Sequence, residues 1–166
     1  MTKDIQDSFP RSASTAGVSF SADARGQLVL VVDAAEEARR IALQGLDGLC
    51  DVFCADTGQQ AIQLAIQYRP DLILLSASMP DLDGLEIIRQ LKQDKLTQNI
   101  SVVFVTQAAS EAQEAESFAL GASDYIVASR NANILKARVG IHLRADLQRK
   151  TLERLSQFDG LTGVLN

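Results

Sequence analysis

The sequence predicts an α/β fold of three layers, in which helices cover both faces of a parallel sheet. Five short runs are nearly continuous in apolar residues, which is typical of strands buried on both faces. The runs alternate with helix-length amphipathic segments, and this alternation is the pattern of right-handed βαβ units. The predicted strands are residues 27–33, 49–55, 72–75, 101–105 and 124–127.

The segments between these strands predict helices over residues 35–46, 58–68, 84–94 and 111–120. Thr57 and Gln60 have the spacing of a capping box, in which two side chains satisfy the first backbone N–H groups of a helix. Ser110 and Gln113 repeat that spacing before the fourth helix. Gly121 follows the fourth helix, at the position where a left-handed residue ends many helices.

A longer helix is predicted over residues 131–157, which contain no proline and one glycine. A helix of this length extends about 40 Å, more than the domain needs. Five residues recur at the four-three spacing of a coiled-coil seam, with a polar glutamine inside it. They are Ile141, Ala145, Gln148, Leu152 and Leu155. The seam predicts a dimerising stalk, and the alternative is a last domain helix with a solvated basic face.

Composition excludes several classes of protein. Apolar residues make up 46% of the 166 residues, so the chain can bury a core, and the net charge of −5 argues against a dedicated nucleic-acid binder. No apolar run approaches the roughly 20 residues of a membrane span. The first residues lack the apolar stretch of a secretory signal. We therefore expect a cytoplasmic protein, with residues 1–26 as a flexible leader.

The two cysteines and the single histidine do not predict a disulfide or a metal site. Cys50 and Cys54 fall in one predicted strand, roughly 13 Å apart, which is beyond disulfide reach. Their even spacing puts both on the face that carries Val52, so we interpret them as small core residues. His142 is the only histidine, which rules out most histidine-based metal sites.

Functional residues are expected just after the carboxyl ends of the strands, where open parallel sheets bind ligands. The residues at these positions are Asp33, Ser76, Thr106 and Ala128. One carboxylate and two hydroxyls are a poor set for a hard cation, which prefers several oxygen ligands. A serine nucleophile would need an adjacent base, and His142 lies far along the chain. The pocket is predicted to be polar and chemically poor.

Residues 27–143 resemble the receiver domain of two-component response regulators. The resemblance rests on an ordered set of segments: Leu30-Val31-Val32-Asp33, Pro70-Asp71-Leu72-Ile73-Leu74-Leu75, Met79-Pro80-Asp81-Leu82-Asp83-Gly84, Val103-Phe104-Val105-Thr106 and Gly121-Ala122-Ser123-Asp124-Tyr125-Ile126. It implies a flavodoxin-like, doubly wound, five-stranded sheet of order 2-1-3-4-5. It also implies a switch operated by an aspartyl phosphate.

The chain departs from this family at three functional positions. Asp33 is followed by Ala34, where the family has a second acid, and Ser76 stands in place of the phosphoryl-accepting aspartate. Ala128 replaces the lysine after the fifth strand, while Thr106 and the switch aromatic Tyr125 match. Without these groups no acyl phosphate can form, and the cation that screens phosphoryl charge is poorly held. We therefore expect a pseudo-receiver with no catalytic residue, no cofactor, and weak or absent Mg²⁺ binding.

Residues 158–166 resemble the opening of GGDEF domains, the diguanylate cyclases. The matching residues are Asp159, Leu161, Thr162, Gly163 and Asn166. The resemblance implies that the chain is the regulatory part of a longer cyclase, divided into the leader, the receiver-like domain over 27–143, a stalk over 144–157 and the start of the GGDEF domain. The alternative is a chance Leu-Thr-Gly turn at a natural terminus.

The predicted function is therefore regulatory rather than enzymatic. We expect the module to control cyclic di-GMP synthesis through homodimerisation by the C-terminal helix, with a signalling protein as a further partner and with no nucleic acid or membrane bound. A second hypothesis is a phosphorylatable receiver in which Asp81 or Asp83 substitutes for Ser76. A third is a stand-alone signalling adaptor with no cyclase partner.

Overall fold

A computed structural model describes residues 26–129 and 131–162, in which five strands alternate with five helices. The elements are β1 (Leu28–Val32), α1 (Glu36–Leu46), β2 (Asp51–Ala55), α2 (Gly58–Tyr68), β3 (Leu72–Ser76), α3 (Gly84–Gln93), β4 (Ser101–Thr106), α4 (Glu111–Leu120), β5 (Asp124–Val127) and α5 (Ala132–Thr162). The predicted strands and helices are all present, with ends that move by one or two residues except at α5. The predicted leader lies outside the described residues apart from Gly26.

The five strands form one sheet of order β2-β1-β3-β4-β5, and every neighbouring pair is parallel. This order confirms the doubly wound arrangement. In the register of the sheet Val32 pairs with Leu75 and Ser76 pairs with Val105, so the carboxyl ends of β1, β3 and β4 meet at one edge. That edge positions the candidate site.

Two apolar clusters pack on opposite faces of the sheet. Alternate residues of β1 divide between them, with Leu30 and Val32 in one cluster and Val29 and Val31 in the other, because successive side chains of a strand point to opposite faces. The first cluster includes buried residues of α2 and α3, and the second includes those of α1 and α5. The three-layer prediction is confirmed.

The predicted capping boxes form only in part. Thr57 Oγ1 accepts a hydrogen bond from Gln60 N at 3.2 Å, and Ser110 Oγ accepts one from Gln113 N at 3.3 Å. The return bonds differ, because Gln60 Oε1 accepts from Asp56 N instead, and the Gln113 side chain bonds to Tyr125. At the end of α4, Gly121 has a φ of +110°, as predicted for a left-handed terminal residue.

The last helix, α5, is longer than predicted. It contains 31 residues, or about 46 Å, and continues past residue 157 to Thr162. Val139, Leu143 and Asp146 are buried on the side that faces the domain. One turn further along, Lys150 Nζ lies 2.9 Å from Asp146 Oδ2 and contacts the carboxylate of Asp71. Contacts with the domain therefore extend along α5 to Lys150.

Candidate functional site

The carboxyl edge of the sheet brings together three of the predicted positions. Asp33 follows β1, Ser76 ends β3 and Ala128 follows β5, and all three line one cavity. Thr106, at the end of β4, is buried and does not line it. Ala34 is exposed. The strand ends converge as expected, while the second-acid position lies outside the cavity.

Asp33 directly follows β1 and places a carboxylate at this edge. Its Oδ1 accepts a hydrogen bond from Ala35 N at 2.9 Å, and its main-chain oxygen accepts one from Arg39 Nη1 at 2.7 Å. Burial raises the pKa of Asp33, although the Ala35 hydrogen bond and the charge of Arg39 act in the opposite direction. The side chain is half-buried. A partly desolvated carboxylate therefore lines the cavity at the end of β1.

The positions of the family's acceptor and its lysine carry no charged group here. Ser76 Oγ is half-buried and accepts a long hydrogen bond of 3.4 Å from Ser78 N. Ala128 donates its backbone N–H to Thr106 O at 2.6 Å and offers only a methyl group as a side chain. A hydroxyl and a methyl group can neither form an acyl phosphate nor neutralise phosphoryl oxygens.

Tyr125 is buried and joins β5 to the first turn of α4. Its ring stacks on Phe104 with a centroid distance of 6.0 Å. Its hydroxyl donates to Gln113 Oε1 at 3.0 Å and accepts from Ser110 N at 3.2 Å. The sequence reveals Ser110 and Gln113 only as helix-capping residues, because their partner is contributed by a later strand.

The two acids that could replace the missing acceptor are both engaged in helix capping. The Asp81 carboxylate accepts hydrogen bonds from Gly58 N at 2.7 Å and Gln59 N at 3.0 Å, and these bonds lower its pKa. Asp83 Oδ1 accepts from Leu85 N at 2.8 Å as the N-cap of α3. Both carboxylates stabilise helix starts, which is a structural role.

The residues at the edge do not fit the magnesium ion that the resemblance implies. Asp33 is the one acid among Asp33, Ser76 and Ala128, and one of its oxygens already accepts from Ala35 N. Mg²⁺ requires near-octahedral oxygen ligation, usually with more than one carboxylate or a phosphate. Within the described ranges, no cluster of three or more His, Cys, Asp or Glu residues is arranged to hold a metal ion.

A cavity of about 400 Å³ opens from this edge between α1 and α5. Its walls are mainly apolar, with Ala38, Ile41, Ile134 and Leu135 supplied by the two helices. The polar residues at its rim are Asp33, Glu37, Ser76, Gln107, Ser129 and Asn131. The helix residues of this cavity were not predicted as site residues, because their apolar periodicity is the same as that of core residues.

Both cysteines lie in the apolar cluster beneath α1 and α5, together with Val52, and neither is in a disulfide. Burial raises the pKa of the Cys50 thiol to about 12 and that of Cys54 to about 11. Thiols with pKa values this high are protonated at neutral pH, so they are poor nucleophiles and metal ligands. The prediction of core cysteines is confirmed.

All five residues of the predicted α5 seam are exposed. Ile141 is 55% exposed, Leu152 67% and Leu155 58%. Ala145 and Gln148 are exposed between them. Successive residues of a helix are rotated by about 100° around its axis. This seam therefore lies on the side of α5 opposite to the domain-facing residues Val139, Leu143 and Asp146. A largely apolar stripe, interrupted by Gln148, thus faces away from the sheet.

The residues that resemble a GGDEF opening are described only in part. Asp159, Leu161 and Thr162 belong to the last turns of α5, where the backbone alone is described. Gly163 and Asn166 lie outside the described residues. No helix within the described parts of the chain is both long enough and apolar enough to span a membrane.

Curated proteins with similar sequences include a probable phosphodiesterase and transcriptional regulatory proteins. The chain is 34% identical over 116 residues to a Vibrio cholerae protein named as a probable cyclic di-GMP phosphodiesterase, covering 70% of this chain and 26% of that protein. It is 32% identical over 121 residues to the phosphate regulon transcriptional regulatory protein PhoB of Pseudomonas aeruginosa, covering 72% and 52% respectively. The chain therefore spans about a quarter to a half of these two relatives.

Solved structures and the family comparison agree with the observed topology. A signal receiver domain from Vibrio parahaemolyticus superimposes with a TM-score of 0.72 at 27% identity, over 77% of this chain and 98% of that one. A response regulator from Desulfuromonas acetoxidans gives 0.65 at 26% identity, over 72% and 98%. Residues 29–140 match the response regulator receiver domain. The chain therefore belongs to the response regulator receiver domain family.

Proposed function

We propose that this receiver domain transmits a signal without an aspartyl phosphate and that α5 carries its output. The observation that carries the proposal is the serine at position 76, where the family has its acceptor carboxylate. A serine hydroxyl at this position cannot form the mixed anhydride of an acyl phosphate. Ala34 and Ala128 remove the second acid and the ammonium group that would support the chemistry.

The alternative acceptors have structural roles that support this proposal. Asp81 holds the first two backbone N–H groups of α2, and Asp83 caps α3. Phosphorylation of either carboxylate would disturb these hydrogen bonds at a helix start. Neither residue combines an unengaged carboxylate with a neighbouring cation.

Incubation with Mg²⁺ and acetyl phosphate, followed by intact-mass spectrometry, tests the loss of phosphorylation. We expect the wild-type chain to gain no stable phosphoryl group. The matched control restores the three missing groups as Ala34→Asp, Ser76→Asp and Ala128→Lys in one chain, and this control should gain one phosphoryl group. Phosphorylation of the wild-type chain under the same conditions would refute the proposal.

The geometry of α5 supports an output through pairing of two helices. Its domain-facing side is held by buried Val139 and Leu143 and by the contact between Lys150 and Asp71. The opposite side carries the exposed seam from Ile141 to Leu155. A helix fixed to its domain on one side and apolar on the other is suited to form a symmetric two-stranded coiled coil.

Sedimentation velocity tests this pairing. We expect the wild-type chain to dimerise and Leu152→Asp with Leu155→Asp to be monomeric. The control, Arg154→Gln with Gln157→Asp, changes the net charge by the same amount on the opposite side of α5 and should remain dimeric. A monomeric wild-type chain, or a dimer that survives both substitutions in the seam, would argue against dimerisation through α5.

A cyclic di-GMP role is supported by two independent similarities. Residues 158–166 resemble the opening of a GGDEF domain, and one relative is named as a probable cyclic di-GMP phosphodiesterase. We infer that the chain regulates a diguanylate cyclase of which it forms part. Joining two GTP molecules requires two cyclase domains face to face, so the geometry of a paired stalk would control the rate.

The gene beyond the codon for Asn166 tests the cyclase assignment. A Gly-Gly-(Asp/Glu)-Glu-Phe segment downstream is the expected result, whereas a stop codon would favour a stand-alone adaptor. In a full-length cyclase, Leu152→Asp with Leu155→Asp should reduce cyclic di-GMP formation from GTP. The charge-matched Arg154→Gln with Gln157→Asp should leave it near the wild-type rate.

A further inference from the structure

The cavity between α1 and α5 has the features of a ligand site, and we propose that it binds a small amphipathic organic cation. The apolar body of the ligand would lie between the two helices, and its ammonium group would face Asp33. The site is distinct from phosphoryl chemistry, because it is apolar over most of its wall and extends along the helices away from the strand ends.

The size and shape of the cavity suit a small ligand. Its volume of about 400 Å³ is near the lower end of the range of roughly 300–1,000 Å³ for small-molecule sites. Ala38 and Ala42 on α1 are small, and their short side chains leave room opposite Ile134 and Leu135 on α5. Val31, Leu74, Val105 and Ile126 of the sheet form its floor.

The polar side chains of the cavity lie at the carboxyl ends of the strands and at the starts of α1 and α5. A ligand would therefore enter in one orientation. Asp33, Ser76, Gln107 and Ser129 lie at the carboxyl edge of the sheet. Asn131 directly precedes α5, and Glu37 is in the first turn of α1. The helix residues that continue the wall are Ala38, Ile41, Ile134 and Leu135. A molecule with one polar end and one apolar end matches this division.

The charges at the rim favour a cation over an anion. Asp33 and Glu37 are both in the lining, and no lysine or arginine is found among the described residues that form it. Glu37 already pairs with Arg40 at 2.9 Å, and Arg39 is directed to the main-chain oxygen of Asp33. The Asp33 carboxylate is therefore the acceptor best placed for an ammonium group, in a partly desolvated setting where such bonds are strong.

Occupancy of this cavity would bear directly on α5. Ile134 and Leu135 belong to its first turn, so a ligand between the helices contacts the element that carries the exposed seam. Binding itself needs no other assumption. Its use as the input signal of the module rests on the proposed function, in which α5 transmits the output.

Three probes of equal chain length test the site: hexylammonium, 1-hexanol and hexanoate. Each is titrated into the ¹⁵N-labelled full chain at neutral pH, and backbone amide shifts are followed by NMR. We expect saturable shifts around Ile41, Ser76 and Leu135 with hexylammonium. Binding of hexanol should be about tenfold weaker, because among the three probes only the ammonium group forms an ion pair with Asp33. Hexanoate should not saturate, because its carboxylate is repelled by that of Asp33.

Two variants separate the head-group contact from the apolar wall. Asp33→Asn keeps the shape and the acceptor for Ala35 N but removes the charge, so it should abolish the preference for hexylammonium over hexanol while hexanol still binds. Ala38→Phe fills the cavity from a half-buried position and should abolish binding of both. Ala115→Phe, on an exposed face of α4, is the control for an added aromatic ring and should bind like wild type.

The proposal is overturned if hexylammonium does not saturate, if hexanoate binds as well, or if Ala38→Phe binds like wild type. These outcomes are independent of phosphorylation and of dimerisation. A wild-type chain that binds no probe, resists acetyl phosphate and dimerises through the seam would refute the ligand-site proposal and leave the proposed function standing. A chain that accepts a phosphoryl group and binds hexylammonium would refute the proposed function and leave the ligand-site proposal standing.

Discussion

The ammonium group of Lys150 on α5 contacts the carboxylate of Asp71, which lies 79 residues earlier, just before β3. The other oxygen of Asp71 accepts a hydrogen bond from Leu28 N at 2.7 Å, at the start of β1. Asp146, one turn before Lys150, is buried and also pairs with Arg149 at 2.8 Å. These ion pairs connect the C-terminal helix to the amino edge of the sheet.

Replacing Lys150 with methionine should loosen this connection. The hydrogen bonds to Asp71 and Asp146 raise the pKa of Lys150 against the opposing effect of burial, so the charged form is the one that the fold stabilises. The variant leaves Asp146 buried with Arg149 as its remaining partner. We expect the free energy of unfolding to fall by about 1–2 kcal/mol, less than for a fully buried pair because Lys150 is partly exposed.

Urea unfolding of Lys150→Met measures this loss. Lys136→Met is the control, because Lys136 lies on the same helix and is exposed. Its unfolding free energy should stay within about 0.5 kcal/mol of wild type. Equal effects of the two substitutions would show that the Lys150 contacts do not stabilise the docked helix.

Two glycine substitutions should have opposite effects. A Cβ on Gly84 would lie 2.7 Å from Phe104 Cε2 and 2.9 Å from Ala77 Cα, so Gly84→Ala should lower the free energy of unfolding by about 1–3 kcal/mol. A Cβ on Gly140 would meet the Leu49 side chain at 3.9 Å, an ordinary contact. Gly140→Ala should raise the free energy of unfolding by up to about 1 kcal/mol, because alanine is a better helix former than glycine. Urea titration checks both, and a destabilised Gly140→Ala would contradict the geometry.

Removing the Tyr125 hydroxyl should weaken the start of α4 without disturbing the core. Tyr125→Phe keeps the ring on Phe104 but removes the partner of Gln113 Oε1 and Ser110 N. We expect the free energy of unfolding to fall by about 1 kcal/mol and amide hydrogen exchange to become faster in the first turn of α4. A double-mutant cycle with Gln113→Ala is the control, and strictly additive effects would mean that the two side chains do not interact.

The pH dependence of stability should change in opposite directions at two aspartates. Burial raises the pKa of Asp33, so its charge destabilises the fold above the folded pKa. Asp33→Asn should therefore increase stability at neutral pH, and this gain should disappear as the pH falls below the unfolded value of about 3.9. The measurement is the difference in urea unfolding free energy between variant and wild type from pH 7 to pH 3.

Asp124 supplies the comparison of opposite sign. Burial acts to raise its pKa, but the contacts with His142, the Tyr125 backbone N–H and Arg138 outweigh it and lower the pKa. Its charge thus stabilises the fold above the unfolded pKa, and that stability is lost as the pH falls through the folded pKa. Asp124→Asn should be destabilising at neutral pH and approach wild type in acid. Parallel pH profiles for the two variants would contradict these pKa directions.

The fold could be predicted from the sequence because its signals are local. Continuous apolar runs such as Leu28–Val32 and the amphipathic helices are visible without any tertiary contact, and parallel strands need helices on both faces. The end of α5 was predicted too early, because the segment after Gln157 was interpreted as the start of another domain. The backbone continues as helix to Thr162.

The candidate site could be predicted only where it follows directly from strand ends. Asp33 and Ser76 are found this way because parallel strands end at the same edge. The cavity depends on how α1 packs beside α5, where Ala38 and Ala42 share its lining with Ile134 and Leu135, more than 90 positions further along the chain. The bonds of Gln113 and of Lys150 were missed for the same reason, since each connects residues that are far apart in sequence.

The ion pairs at Lys150 also mark the last described contact of α5 with the domain. Beyond them α5 continues to Thr162, about 18 Å of helix, while the cavity contacts the same helix at its opposite end, near Ile134. Val139, Leu143 and Asp146 pack α5 against the domain before this point, so the helix is held along its first half. A displacement of α5 beside the cavity would therefore carry residues 151–162 with it as one rigid element.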